Sequence, residues 1–409
     1  MSQKYPILRF IEFQSEGYES VRLSSQLLSY KLGGNYSNTN IPTGFPLIKM
    51  GNLGRSCMNV DKVEYIPVSE IIDADDLMKH GDLFFNTRNT LSLVGKVAIW
   101  KCELPVAYFN SNLLRLEFRN NYYFNYLLNS PLQIKKFKSI ASGTTSVAAI
   151  YTKDLLKLPL HIPKSDKEQQ KIADFLTSVD SKISQLTEKH RLLNEYKKGV
   201  MQQLFSQRLR FKDKDGNAFP EWEERPLNVL ASKCTEKNKG RLVKDALTNS
   251  AKYGIIAQQD YFDKDIANAD NTDNYYVVNI DDFVYNPRIS EHAPVGPIGR
   301  NHVKKGVMSP LYSVFRFKNN VNLDFIEYFF KGSTWYRYMN SVANFGARHD
   351  RMNISSADLM ALPCPYPCLA EQQKIAQFLQ ALDNKITAVA EQIEQTKQFK
   401  KGLLQQMFV

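Results

Sequence analysis

One stretch of this chain occurs twice. Residues 168–206 read EQQKIADFLTSVDSKISQLTEKHRLLNEYKKGVMQQLFS, and residues 371–409, 203 positions later, read EQQKIAQFLQALDNKITAVAEQIEQTKQFKKGLLQQMFV. Aligned without a gap, 18 of the 39 positions are identical, including both EQQKIA starts and both KKG triplets. A repeat of this length implies a pseudo-symmetric molecule with two equivalent sites. Each copy carries one apolar seam whose steps alternate four and three, the heptad spacing of a coiled coil. The first runs Ile172, Leu176, Val179, Ile183, Leu186, His190, Leu193, Lys197, Val200, Leu204; the second runs Ile375, Leu379, Leu382, Ile386, Val389, Ile393, Thr396, Lys400, Leu403, Met407. At ~1.5 Å per residue each helix is roughly 60 Å long, more than a small domain needs for its core. The seams are therefore expected to pair with each other; two ordinary amphipathic core helices are the alternative. Ser165 and Glu168 predict a reciprocal capping box at the first helix, while Cys368 is a poorer cap at the second and Pro367 marks its start. Gly199 and Gly402 each cost the helix about 1 kcal/mol; their recurrence suggests a close approach or a bend, with a merely tolerated glycine as the alternative.

Length and composition bound the rest. The chain has 409 residues, enough for two domains, and its 43% hydrophobic and 12% aromatic content describes folded protein. No apolar run nears the ~18 residues of a membrane span, and MSQKYPILRF lacks the apolar core of a signal peptide. The expectation is a soluble, cytoplasmic protein without a membrane partner. Five cysteines, at 57, 102, 234, 364 and 368, suit a reducing compartment. Cys364 and Cys368 have no second pair to complete a zinc site, so no metal is expected. The net charge of +11, from 53 basic and 42 acidic residues, favours a polyanionic partner.

Fainter matches precede each helix. Leu8-Arg9-Phe10 corresponds to Leu209-Arg210-Phe211, each followed by an aromatic, Tyr18 or Trp222. Residues 81–88, GDLFFNTR, align with 281–288, DDFVYNPR; Phe118–Asn121 aligns with Phe317–Asn320; Gly143 pairs with Gly346. Asp154-Leu155 with Leu158-Pro159 matches Asp358-Leu359 with Leu362-Pro363. The expected order is a globular unit at 1–164, a long helix at 165–207, a second unit at 208–367 and a second helix at 368–409. The units read as α+β. Val97–Trp100 and Tyr275–Val278 look like strands and Phe325–Phe330 like a helix, with exposed loops at 33–44 and 268–274. Two copies that share a frame but differ in their loops suit two sites reading different things; drift after an old duplication would look the same.

The twice-repeated EQQKIA-headed helix, following a leucine-proline segment and separating two dissimilar globular units, resembles the DNA-specificity subunit of type I restriction–modification enzymes. The resemblance spans essentially the whole chain. It implies two pseudo-symmetric target recognition domains, each reading one half of a bipartite site in double-stranded DNA. The long helices would pack antiparallel as a spacer and dock two methyltransferase subunits, with translocase–nuclease subunits joining through them. S-adenosylmethionine is then expected in those partners, and this chain binds no cofactor and catalyses nothing. One departure is that the chain starts almost directly with its first recognition domain, which suits a circular pseudo-symmetric assembly.

Base reading needs bidentate groups, and phosphate contact needs positive charge, hydroxyls and amides. The candidates are Lys31, Asn35, Arg55, Asn86, Arg88, Asn89, Thr144 and Thr145 in the first unit. In the second they are Lys237, Lys239, Arg241, Asn286, Arg288, Arg348, His349 and Arg351. For each, a solvated surface group is the competing account. Asn86/Asn286 and Arg88/Arg288 recur in both halves, which points to holding the frame or a phosphate rather than reading sequence. His349, with no nucleophile evident nearby, reads as a polar loop residue. A self-sufficient methyltransferase is disfavoured because Tyr285-Asn286-Pro287-Arg288 lacks the second proline and aromatic of the amino-methyltransferase loop. A nuclease would rest on Glu195-Tyr196-Lys197 alone, which lies in the repeated helix. A coiled-coil adaptor accounts for the seams but not for two divergent basic units.

Overall fold

The computed structural model describes residues 5–258, 269–343 and 350–408. They form two compact units that do not follow the chain in simple order. Unit 1 comprises residues 1–188 and 390–409, and unit 2 comprises 189–389. The two long helices, α1 (Asp166–Phe205) and α2 (Leu369–Gln406), are therefore each divided between the units.

Unit 1 is built on a four-stranded antiparallel sheet of β1 (Leu27–Leu32), β2 (Leu83–Asn86), β3 (Val97–Ile99) and β4 (Leu113–Phe118), in the order β1-β4-β2-β3. Every residue of β2 is buried, so both faces of this sheet are covered. Alternation sends Phe85 to one face, where its ring meets Phe137 of the helix Pro131–Ile140 at 5.2 Å. Phe84 goes to the other, 4.9 Å from Phe109, over a small sheet formed by Pro46–Ile48, Glu64–Tyr65 and Tyr108–Phe109. The first half of α1 and the end of α2 close the remaining side. Ile172, Leu176 and Val179 share one buried cluster with Leu403, Met407, Phe408 and the sheet residues Leu83, Phe85 and Leu116. The two helix segments run antiparallel. Lys400 Nζ lies 2.6 Å from Asp180, and near the end of α2 the Gln406 carbonyl accepts from the Leu8 amide at 2.9 Å.

Unit 2 repeats the plan with the helices exchanged. Its sheet of β5 (Ala231–Cys234), β6 (Phe283–Tyr285), β7 (Ile298–Arg300) and β8 (Ser313–Phe317) has the same order, β5-β8-β6-β7. Here the end of α1, with Val200, Met201, Leu204 and Phe205, packs with the start of α2, with Ile375, Ala376, Leu379 and Leu382, in one cluster. The Gln203 carbonyl accepts from Leu209 at 3.1 Å, as Gln406 does from Leu8.

A tyrosine, an aspartate and a lysine lock each helix pair to its unit. In unit 1 the Tyr126 hydroxyl donates to Asp180 at 2.9 Å, while Lys400 pairs with the same carboxylate and lies 5.4 Å from the Tyr126 ring. In unit 2 Tyr328 donates to Asp383 at 2.6 Å, and Lys197 pairs with that carboxylate. Both lysines are the first residue of a KKG triplet, so that part of the repeat serves a helix-to-helix ion pair. The Asp180 and Lys400 side chains are each 16% exposed. Asp180→Ala leaves the ammonium and the phenol without an acceptor, and is expected to cost unit 1 roughly 1–2 kcal/mol. Denaturant unfolding of the variant checks this; an unchanged midpoint would contradict it.

Three expectations are corrected. Glu168 does not close a capping box: its carboxylate accepts from Arg9 Nε and Nη2, both at 2.7 Å. Gly199 and Gly402 do not mark a close approach, since nothing lies within 4 Å of an added Cβ, and both sit inside continuous helix. Residues 269–274 form a 3-10 helix rather than an exposed loop, with Thr272 buried. Along both helices the seam positions are buried or half-buried, including the polar His190, Thr396, Lys197 and Lys400.

Candidate nucleic-acid interface

Each unit turns its central strand outward in the same way. In unit 1, β2 ends at Asn86, whose Oδ1 accepts from the Arg88 amide at 3.0 Å, an Asx turn. The Asn86 carbonyl accepts from Gly95 at 3.0 Å. Beyond the turn, Arg88 and Asn89 pair with Ala149 and Ala148 of the hairpin Ser142–Gly143/Ala148–Ala149, and Ile150 donates to the Thr87 carbonyl at 2.9 Å. Gly143 is required in that hairpin: its φ is +117°, and a Cβ there would stand 2.3 Å from the Val147 carbonyl oxygen. Thr144 and Thr145 lie exposed at its tip, and Val147 is exposed beside them.

In unit 2, Asn286 Oδ1 accepts from the Arg288 amide at 3.0 Å, and its Nδ2 donates to the Asn249 carbonyl at 2.9 Å. Arg288 pairs across an antiparallel bridge with Arg351, and Met352 donates to the Pro287 carbonyl at 2.8 Å. Gly296, at φ +81°, stands where a Cβ would be 2.1 Å from the Asn286 carbonyl oxygen. The exposed edge is thus the same backbone device in both units, an Asn-x-Arg turn laid against a returning strand. Such an edge carries guanidinium, amide and hydroxyl donors, the groups that phosphates and base edges accept from.

A family model of the type I restriction modification DNA specificity domain matches the chain twice, at residues 34–195 and 220–398. The chain belongs to that family. It is similar to the putative type I restriction enzyme MjaX specificity subunit of Methanocaldococcus jannaschii, with 27% identity over 386 residues, 88% of this chain and 85% of the relative. The fold is shared with the type I restriction–modification S subunit from M. genitalium, at TM-score 0.53 and 14% identity over 99% of both chains. It is also shared with a chain from a structure of complex assembly and conformational transition in a type I system, at TM-score 0.51 and 15% identity over 95% and 96%. The chain is accordingly a DNA sequence-recognition component of a type I restriction–modification system and not one of its catalytic subunits.

Within this specificity subunit the anticipated DNA-facing residues divide sharply. Asn86 is fully buried and Asn286 nearly so, each holding its Asx turn, so neither reaches a ligand. Lys31 is held by Asp73 at 2.7 Å and Asp76 at 3.1 Å. Lys237 donates to the Asn274 carbonyl and sits 3.8 Å from the Tyr276 ring, and Arg241 pairs with Asp273 at 2.8 Å. Arg55 is half-buried, donates to the Gly95 carbonyl at 3.2 Å, and has its pKa drawn down by burial. Each of these four cations thus has a partner within the protein. Asn89 is half-buried, its Oδ1 accepting from Thr90 at 2.8 Å. Asn35, Arg88, Thr144, Thr145, Lys239 and Arg288 are exposed, and Arg351 is half-buried. Arg348 and His349, like Gly346, lie outside the described residues.

Two repeated features escaped the reading of the sequence. Val94-Gly95 and Val295-Gly296 occupy the same place behind the Asx turn, a short identity hidden by divergent flanks. Arg9 with Glu168, and Arg210 with Glu371, form equivalent ion pairs; in unit 2 the Trp222 indole also donates to Glu371 at 2.9 Å. Both arginines and both glutamates were visible as repeats, but nothing in sequence spacing joins them across about 160 residues.

Proposed function

We propose that each unit reads one half of a bipartite site in double-stranded DNA through its Asn-x-Arg edge and returning strand, with unread base pairs between the halves. One observation carries this: two units share a backbone device while the side chains it displays differ, as one frame reading two sequences requires. Residues 1–164 and 208–367 then act as the recognition domains, and 165–207 and 368–409 as the helical part that spaces them. The outer faces of those helices dock two methyltransferase subunits, which bring S-adenosylmethionine and through which translocase–nuclease subunits join. This work is placed in the cytoplasm, with the genome; among the described residues no helix is long and apolar enough to cross a membrane. The excess of basic residues supports phosphate contact and a binding constant that falls with salt.

The test is to map methylated bases in the host genome with and without this chain. Loss of one bipartite motif is the expected result; loss of a continuous motif, or of none, rejects the reading. The spacing role has its own check. Four residues inserted near Thr187 add one helical turn, roughly 5.4 Å, between one and two base-pair steps. The motif should keep both half-sites and gain a longer gap; an unchanged gap in an intact complex rules out the ruler.

A further inference from the structure

We infer that one backbone position, Ala149 in unit 1 and Arg351 in unit 2, determines which base is read, and that Arg351 reads a guanine in the second half-site. This rests on the proposal that each unit recognises one half-site.

The two positions are equivalent by pairing. Arg88 lies opposite Ala149, and Arg288 lies opposite Arg351. The next residues, Ile150 and Met352, donate to the carbonyls of Thr87 and Pro287. Residues directly opposed in an antiparallel pair project to the same face with Cβ atoms roughly 5 Å apart. One member of each pair is constant, an arginine, and the other is not. A group that must touch the same chemistry in both half-sites, a phosphate, belongs at the constant position. A group that distinguishes them belongs at the variable one.

The variable position differs in the way base reading needs. In unit 1 Ala149 lines a hollow of ≈ 300 Å³ together with Arg88 and Tyr151. In unit 2 a guanidinium stands there, directly opposite a second one. Like charges so opposed weaken a strand pair, and Arg288 has no acidic partner among the described residues. The Asp350 carboxylate lies 3.4 Å from Arg351 Nε, an atom that is buried without a hydrogen bond. Arg288 is exposed and the Arg351 side chain is 28% exposed, with Asp350 as its one carboxylate, so a polyanion laid across the pair stabilises both. Arginine's planar fork matches guanine O6 and N7 in the major groove, a match that alanine cannot make.

The complete complex in its host provides the test, read out by methylation mapping. R351A should make one guanine of the second half-site degenerate, with discrimination falling on the order of ten- to a hundredfold, and leave the first half-site intact. R351K should restore part of the guanine preference. R288A should lower methylation at all sites without changing the motif, and A149R should alter the first half-site alone. An unchanged motif in R351A, or a degenerate one in R288A, overturns the assignment. A wild-type chain that specifies no bipartite motif overturns the half-site reading itself, and this inference with it.

Discussion

A half-chain ending at Gln207 is expected to fold as a homodimer rather than as a monomer. Unit 1 lacks, in such a fragment, the Leu403, Met407 and Phe408 that close its core. The fragment carries Val200, Leu204 and Phe205 instead, the residues at the same positions of the repeat, which perform this role in unit 2. Lys197 is likewise available to meet the Asp180 of a second copy. Each buried Leu, Met or Phe contributes roughly 2 kcal/mol, so unsealed monomers would forgo on the order of 5 kcal/mol. A domain with ordinary stability cannot lose that much and remain well ordered. Size-exclusion chromatography with light scattering should return twice the half-chain mass at micromolar concentration, and Leu204→Asp should abolish the dimer. A well-folded monomer would show that α2 is dispensable to unit 1.

The second large effect concerns the buried ion pair at the head of each long helix. Glu168 is fully buried and the Arg9 side chain is 7% exposed, with both guanidinium contacts at 2.7 Å. Removing one partner strands the other charge away from water, and such losses run to about 3–5 kcal/mol. Glu168→Ala should therefore lower the melting temperature of unit 1 by roughly 10 °C. Glu371→Ala should cost unit 2 less, because it strips the Trp222 indole of its acceptor while Arg210 keeps Glu221 and the Phe219 and Pro220 carbonyls. The contrast with Glu168→Gln separates charge from packing, since glutamine preserves the volume and a single acceptor. A shift under 2 °C in Glu168→Ala would mean that water reaches Arg9.

The doubled architecture was legible because a duplicated helix of this length has few explanations. The strands around Val97 and Tyr276 and the helix at Phe325 were legible for a simpler reason: apolar runs bounded by turn residues leave little choice. What periodicity could not convey is partnership. The seam shows which side of α1 is buried but not against what, and the division of each helix between two units depends on tertiary packing alone. Glu168 shows the same ambiguity in miniature, since a glutamate three residues after a serine suits a cap and an ion pair equally well. Among the candidate DNA contacts, the partners of the charged residues were the least legible. Lys31, Lys237 and Arg241 look like free cations in sequence, and only the fold brings Asp73, Asn274 and Asp273 to them. Recurrence was the better guide: Asn86 and Asn286, the same in both halves, turned out to be backbone supports.

The closure of unit 1 by the last residues of the chain has a consequence for how the protein is made. Residues 1–188 leave the ribosome early, yet their core waits for residues 390–409. At ~5–20 residues per second, that wait is on the order of 10–40 s. Unit 2 is contiguous and needs no such delay. The half of the molecule that is synthesised first is thus completed last, and throughout elongation Ile172, Leu176 and Val179 stand without their partners from α2. A nascent chain in this state offers an open apolar seam to chaperones and to neighbouring copies alike, so slower translation through residues 189–389 lengthens that exposure.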